Sequence, residues 1–480
     1  MIRAYKTEAL SAPKRKKYVL SSFSGVNTTV AEELLPFRYS PKSYNFSFEK
    51  GVLSSGVGVS KGYVTVGNDR WEIKKRGVTA KFLKFYRYSM HNQGTCVEKL
   101  VAYGDDGKLY DFTLSELYSG FSVIGSYGKV LDAAPYIYNG ADGLLLSTEN
   151  GLYFLREFTM TSLSFSEILT TMCVHNDRVF ATHFLDEYTL RFSDDFDPTN
   201  WHVSLREGGY INFGTEMGKI IKVLSFGGQI YLFFEHGIIR MTAYNDQTDF
   251  HLTKLYLFVG TVLKNTITVC GDRILFMSSE GVFSFDGLSV KKVMTEMEDL
   301  FSKEQTGAHA AFHGGKYYLA CRLEMDSTIT GAPNSLLIYD LEKQSTEIAH
   351  DITLRSMVAL DLDTVCGVLT DVNYPVDYLG LIDKSGKVNS TATYKLWVSP
   401  VTALGTTSGR KILREIRVRS EGECSVAVCL DGVTYEYDLV TGLNKVRVMR
   451  PFDKVRVTLS ANTPDVRITQ AELTVDHFGE

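Results

Sequence analysis

The densest grouping of chemically capable side chains in this 480-residue chain is Ser193-Asp194-Asp195-Phe196-Asp197-Pro198-Thr199-Asn200-Trp201. Asp194, Asp195, Asp197 and Asn200 offer hard oxygen ligands of the kind a calcium loop uses, but the alternating Asp spacing and the glycine of an EF-type loop are missing. The same residues suit an Asp-Pro turn with Asx capping, with Trp201 tucked beneath it as a plug between strands. A structural turn built on Asp194, Asp197, Pro198 and Trp201 is the expectation, with no metal assigned.

Paired carboxylates would serve glycoside hydrolysis, which needs two of them flanking one bond. Asp105-Asp106-Gly107 reads instead as a type I′ hairpin tip. Glu296, Glu298 and Asp299 fall on a short helical segment with Met297 facing the other way, which is a solvated face. Ser284-Phe285-Asp286-Gly287 misses a sialidase-type Asp box, its glycine one place early and its tryptophan absent. The ten His show no His-Glu-x-x-His spacing. His309 and His313 are four apart, but they run into Gly314-Gly315 and read as strand and turn. No nucleophile elbow, P-loop or dinucleotide-binding glycine pattern occurs. Seven Cys, at 96, 173, 270, 321, 366, 424 and 429, scatter through apolar strands and read as small buried hydrophobes in a reducing site of folding. The chain is accordingly read as a non-enzyme with no cofactor.

The elements that carry these residues are strands. Phe, Tyr and Trp make up 12% of the chain, with 40 Gly against 10 Pro, a composition that favours strands joined by tight turns. Turn-plus-strand units begin at Gly94, Asp142, Asp177, Gly228, Asp272, Gly315 and Asp363, with spacings of 48, 35, 51, 44, 43 and 48 residues. A four-stranded propeller blade takes about 40–50. Partner strands such as Gly151-Leu152-Tyr153-Phe154 and Gly281-Val282-Phe283 follow at hairpin distance. No Trp-Asp dipeptide supports a WD40 repeat. The Gly-Gly pairs at 208, 227 and 314 resemble kelch repeats, without the blade-closing tryptophan. Helix is expected only in the capping-box stretch from Thr29 to Leu35, and over Met294 to Phe301, where Met294, Met297 and Phe301 share a face.

The predicted fold is all-β: residues 1–60 as an N-terminal arm with a ring-closing strand, 61–390 as a β-propeller of six to seven blades, and 391–480 as a C-terminal β-sandwich. Phe23 to Thr29 and Tyr44 to Gly51 are the expected arm and ring-closing strand. In the last segment strands alternate apolar residues with Arg414, Arg417, Arg419, Arg447, Arg456 and Arg467, giving a wet face that is either simply solvated or able to meet an acidic partner. Lys14, Arg15, Lys16 and Lys17 are likewise a solvated tail or a candidate inter-subunit arm.

A formal charge of −5 provides no global basic field for holding nucleic acid by counterion release. No run of 18 apolar residues is present, so no membrane-spanning helix is expected. The first 21 residues lack the apolar stretch of a secretory signal.

Four stretches carry a family resemblance: Phe23-Ser24-Gly25-Val26-Asn27; Arg191 to Trp201; Lys219-Ile220-Ile221-Lys222-Val223-Leu224 through Arg240-Met241; and Glu280 to Gly287 running into Val293-Met294-Thr295-Glu296-Met297. In this order the chain resembles the β-propeller tail and neck proteins of tailed bacteriophages, the tail-nozzle or packaged-DNA-stabilisation group. The family's second arm glycine is Val26 here. The resemblance implies a structural virion protein, folded in the host cytoplasm and assembled in the tail or neck. Its partners would be itself in a closed ring, expected to be a hexamer, together with portal, adaptor and other tail proteins. Double-stranded DNA would pass through the lumen without sequence-specific binding. The alternatives are a non-catalytic host-receptor or glycan-binding propeller and, behind it, a propeller that degrades glycans.

Overall fold

The structure, a computed structural model, describes residues 12–61, 63–66, 69–72, 82–92, 94–111, 122–165, 167–202, 208–244, 247–257, 260–329, 333–359, 365–369, 378–388, 390–405 and 410–478. It is all-β and propeller-like. Six four-stranded antiparallel meanders follow one another along the chain, numbered here as sheets 1 to 6: 82–126, 130–162, 169–212, 220–257, 268–293 and 309–350. Sheet 7 takes three strands from 354–383 and a fourth, Gly58–Lys61, from near the N-terminus, with the short strands 387–388 and 391–392 following it in the sheet.

Turn chemistry sets the hairpins. Asn139-Gly140, Gly227-Gly228 and Gly314-Gly315 all have positive φ at both central positions, and each joins the first strand of a sheet to the second. This is the type I′ geometry whose twist matches that of the strands. Asn176-Asp177 does the same in sheet 3 without a glycine. At Asp105-Asp106-Gly107 only Gly107 has positive φ and its N–H bonds to the Gly104 carbonyl, so this tip is not the expected type I′ turn. One left-handed residue after ordinary turn residues makes the longer, bulged loop. The turn expected at Asp363 lies outside the described residues.

Second strands are buried on both faces, as in Ile230-Tyr231-Leu232-Phe233-Phe234, because each sheet is covered by its neighbours. Tyr136 and Leu145 of sheet 2 share a cluster with Met172 and Val179 of sheet 3. Phe180 and Phe192 of sheet 3 pack with Leu232 and Phe234 of sheet 4, and Leu275 of sheet 5 packs with Leu319 and Leu337 of sheet 6. The first strand of sheet 7 lies against the first strand of sheet 1.

The remaining strands build two further sheets. One orders 46–47, 53–55, 467–478, 410–421 and 442–452, with 14–20 also paired to 467–478; the other orders 42–44, 395–398, 455–461, 424–430 and 433–439. Their facing side chains, Leu413, Val426, Val457, Leu459 and Leu473 among them, form one core around fully buried Trp397. The N-terminal residues therefore do not stand apart as an arm. Phe23 packs edge-on against Trp397 with centroids 5.1 Å apart, and the indole N–H bonds to the Ser24 carbonyl. Tyr44 to Gly51 joins these sheets, and the strand that completes sheet 7 is Gly58–Lys61 instead. Asn45 pins the junction: its amide bonds to the Tyr394 carbonyl and its Oδ1 accepts the His350 N–H.

Both expected helices are 3₁₀ turns, Glu32–Leu34 and Thr295–Leu300, since neither segment is long enough to repay α-helix nucleation. Glu32 does not close a capping box; it forks onto Arg456 at 2.6 and 2.7 Å. Met294 and Met297 are buried as the shared face required. Cys173, Cys270, Cys321 and Cys424 are buried, but Cys96 is exposed near its hairpin turn, and the Cys366 side chain lies outside the described residues.

A Cβ on Gly58 would stand 2.5 Å from the Lys387 carbonyl oxygen. Gly58→Ala is therefore expected to lose about 1–3 kcal/mol in denaturant unfolding. The exposed turn substitution Gly107→Ala, limited to its positive φ, should cost less, and equal losses would show that strand 58–61 is not tightly held.

Candidate functional site

The first strands of the sheets converge on a cavity of about 330 Å³. Lys84 of sheet 1, Asp132 of sheet 2, Lys222 of sheet 4, Lys264 and Asn265 before sheet 5, His309 of sheet 6, and Arg355 and Ser356 of sheet 7 line it. A repeated backbone device places them. The pairing of first to second strand shifts register at Phe82/Lys84, Val130/Asp132, Leu169/Thr171, Ile220/Lys222 and Leu354/Ser356. Bulges of this kind re-aim a side chain, here at the third residue of five first strands.

Those side chains stitch neighbouring sheets. Asp132 Oδ2 accepts the Met172 N–H at 3.1 Å, and Thr171 Oγ1 accepts the Val223 N–H at 3.1 Å. Others reach across the cavity: Lys222 Nζ donates to both Asp132 oxygens at 2.8 and 3.0 Å, and Lys264 Nζ donates to the Thr170 carbonyl at 2.7 Å. Lys84 Nζ reaches the Leu131 carbonyl at 3.2 Å. Burial by itself would raise the Asp132 carboxyl, but Lys222 and Lys264 outweigh it and hold the group below its ordinary value. Burial pushes the Lys264 ammonium down to about 8, with Lys222 and Lys84 acting in the same sense and Asp132 against it. Burial lowers Lys84 as well. His309 bonds through Nδ1 to the Gly307 carbonyl, while its Nε2 and the Tyr86 hydroxyl are buried without a hydrogen-bond partner.

The residues singled out in the sequence lie elsewhere. In the turn after the third strand of sheet 3, the Asp194 N–H bonds to the Asn200 carbonyl, Asp197 Oδ1 accepts the Thr199 N–H and hydroxyl, and Trp201 Nε1 donates to the Pro198 carbonyl at 2.7 Å. Trp201 stacks on Phe165. Asp195 faces the other way, onto the buried Arg178 guanidinium at 2.8 Å. The carboxylates that could have been ligands are thus engaged within the chain, and no cluster of His, Cys, Asp and Glu suited to a metal occurs among the described residues.

Lys14 to Lys17 belong to a strand antiparallel to 474–477, where Arg15 bonds to Asp476 at 2.9 Å and Lys17 to Glu472 at 3.1 Å. Within the C-terminal arginine set, Arg414 meets Asp476, Arg417 meets Glu415, Arg456 meets Glu32 and Arg467 meets Glu421, so acidic groups of the same chain take most of this face. Arg419 and Arg447 are exposed.

The cavity residues were missed because each is a single polar residue in a different repeat. The available signal was Leu131-Asp132-Ala133, Ile221-Lys222-Val223 and Arg355-Ser356-Met357, polar side chains at matching places in otherwise apolar first strands.

Removing Asp132 should strand Lys222 and Lys264. Asp132→Asn is expected to cost on the order of 2–3 kcal/mol, discounted for the partial exposure of Lys222, and adding Lys222→Met should recover part of it in a double-mutant cycle. A depressed carboxyl stabilises the fold above its unfolded value of about 3.9, and the benefit is lost as pH falls through the folded value. The gap between wild type and Asp132→Asn should therefore narrow below about pH 4. In the turn, Asp195→Ala should cost about 1–3 kcal/mol by removing the carboxylate to which the buried Arg178 donates, and calcium should not move the melting midpoint of the wild type. A calcium-dependent rise would make the turn an ion site.

No protein-family model matches the chain, and no curated protein matches it. Solved structures give distant likenesses. The extracellular domain of the hybrid two-component system BT4673 from B. thetaiotaomicron aligns at TM-score 0.43 and 13% identity over 67% of this chain and 39% of that one. Chaetomium thermophilum Raptor aligns at 0.41 and 11% over 63% and 28%. A fungal alcohol oxidase of the AA5 family, in complex with copper, aligns at 0.41 and 10% over 81% and 93%. This chain spans well under two thirds of the first two, and likeness at this level carries no argument about chemistry.

Proposed function

We propose that the chain is a structural virion protein of a bacteriophage tail or neck, a seven-bladed β-propeller with a C-terminal β-sandwich that assembles into a ring, retains packaged DNA and permits its ejection. The observation that carries the reading is the use made of the resembling residues. Phe23 to Asn27 form a joint: Phe23 and Ser24 hold Trp397 of the C-terminal sheets, and the next residue, Thr28, donates its N–H to the Glu296 carbonyl beside sheet 5. Glu296 lies in the last of the resembling stretches, and Asp194 to Trp201 close a turn. Each stretch serves architecture, as expected of a rigid spacer.

The cavity supports the same reading. Lys222–Asp132 and Lys264–Thr170 bonds cross it. It is far too narrow for a duplex, whose major groove alone is about 12 Å wide. Any DNA channel must therefore lie between copies of the chain, in a ring closed by a head-to-tail interface. Among the described residues lining the cavity, Asp132 is the one carboxylate and it is bound to Lys222, which disfavours the two-carboxylate chemistry of a glycan-degrading propeller.

One observation favours the second reading, a host-receptor or glycan-binding propeller. Phe158, Phe196, Tyr244 and Leu288 are exposed at the turns between third and fourth strands of sheets 2 to 5, equivalent places in four successive sheets. Such a row suits a partner surface.

Electron microscopy and mass measurement of the purified full chain, alone and mixed with portal proteins, separate the two. Closed rings, six-fold as expected, support the virion reading, and a Phe158→Lys/Leu288→Lys variant tests whether the apolar row is the ring contact. A chain that stays monomeric under all these conditions overturns it.

A further inference from the structure

The cavity between the first strands has more positive charge than its own structure uses. Among the described residues, Lys84, Lys222 and Lys264 line it against the carboxylate of Asp132. That carboxylate is already engaged, since both oxygens take Lys222 and also accept the Met172 and Ala133 N–H groups. Lys84 and Lys264 each donate to one backbone carbonyl, and they share the cavity's one carboxylate, Asp132, with Lys222, so three ammonium groups face a single negative charge among the described residues. Partly buried cations that outnumber their anions are costly, so a fold that retains them is sacrificing stability at this place.

Two further groups lack a hydrogen-bond partner among the described residues. His309 is 9% exposed, with its Nε2 unbonded and its Nδ1 held by Gly307, and the Tyr86 hydroxyl is buried and unbonded. Both line the same cavity as the lysines. Buried polar atoms are normally satisfied, and groups that are not ask for a missing occupant. A water takes up about 30 Å³ of liquid, so about 330 Å³ leaves room for a small ligand with some solvent.

We propose that this cavity is a binding site for a small multivalent oxoanion of the phosphate class, held by the ammonium groups of Lys84 and Lys264, with the Tyr86 hydroxyl donating to it and His309 Nε2 accepting from a protonated anion oxygen. A phosphate group carries about −1.5 to −2 charges at neutral pH and three strong acceptor oxygens, matching an excess of ammonium donors. The bound anion would tie sheet 1, the turn before sheet 5, and sheet 6 together where the first strands converge. The site is independent of the virion reading, as it concerns one folded chain whether or not copies assemble.

Calorimetric titration of the full chain in chloride buffer at pH 7, with inorganic phosphate, pyrophosphate and citrate in separate arms, tests it. Saturable binding of phosphate or pyrophosphate is expected, together with a raised unfolding midpoint. Lys84→Met and Lys264→Met should each weaken it at least about tenfold, while the ligand-free midpoint stays level or rises, because each relieves the repulsion among three ammonium groups that share one carboxylate. A lysine that merely props the fold would lower the midpoint instead. Citrate binding as tightly as pyrophosphate would show that charge alone is read and overturn the phosphate assignment. In the unmodified protein, pyrophosphate should protect Lys84 and Lys264 from reductive methylation while leaving exposed Lys14 reactive. The proposal fails if the folded chain shows no saturable binding at millimolar concentration, if both variants bind as the wild type does, or if neither lysine is protected.

Discussion

The pairing of Gly58–Lys61 with Gly380–Asp383 is the contact on which the architecture rests. A succession of sheets stacked face to face has two uncovered ends, each presenting apolar side chains and open strand edges. Here the last sheet borrows a strand from near the other end of the chain, and its first strand lies against that of sheet 1. Val59 is fully buried, in one cluster with Leu336 of sheet 6 and Leu354 of sheet 7, so the borrowed strand is also a core element. The two partners lie hundreds of residues apart in sequence, and such pairings come late because loop-closure entropy must first be overcome.

The same constraint explains the route of the N-terminal residues. A chain that must deliver residues 58–61 to sheet 7 is led past sheet 6 and the C-terminal sheets, and it is held there by Phe23 on Trp397, Asn45 on His350 and Glu32 on Arg456. Lys14 to Lys17 continue this path as an edge strand whose charges are answered by Glu472 and Asp476. What looks like an arm in a linear reading is the strap that joins the C-terminal core to the propeller-like body.

Where the first strands meet the problem is reversed. First strands that converge leave little room, and apolar side chains could have filled it. This protein instead turns single polar residues inward through repeated bulges, so that Asp132 and Thr171 bond to the neighbouring sheet, while Lys84, Lys222 and, from the turn before sheet 5, Lys264 share the one carboxylate of Asp132. The arrangement is specific in its hydrogen bonds and strained in its electrostatics, a combination characteristic of sites kept for an occupant.

Much of this was legible from residues alone. Turn-plus-strand units opened by Gly or Asp recurred along the chain and implied a repeated four-stranded unit, although the one type I′ turn read from sequence, Asp105-Asp106-Gly107, is a different loop. Alternation of apolar residues with Arg in 410–478 marked sheets with one wet face, and Asp197-Pro198 announced the capped turn that Trp201 closes. Such signals are local, carried by a handful of neighbouring residues through backbone sterics and side-chain period. What partners Arg414 or Arg456, which strand completes sheet 7, and where Lys84, Asp132, Lys222 and Lys264 meet depend on segments hundreds of residues apart. Those matters are decided by how sheets cover one another's faces and edges, a global packing condition that no short stretch of chain encodes.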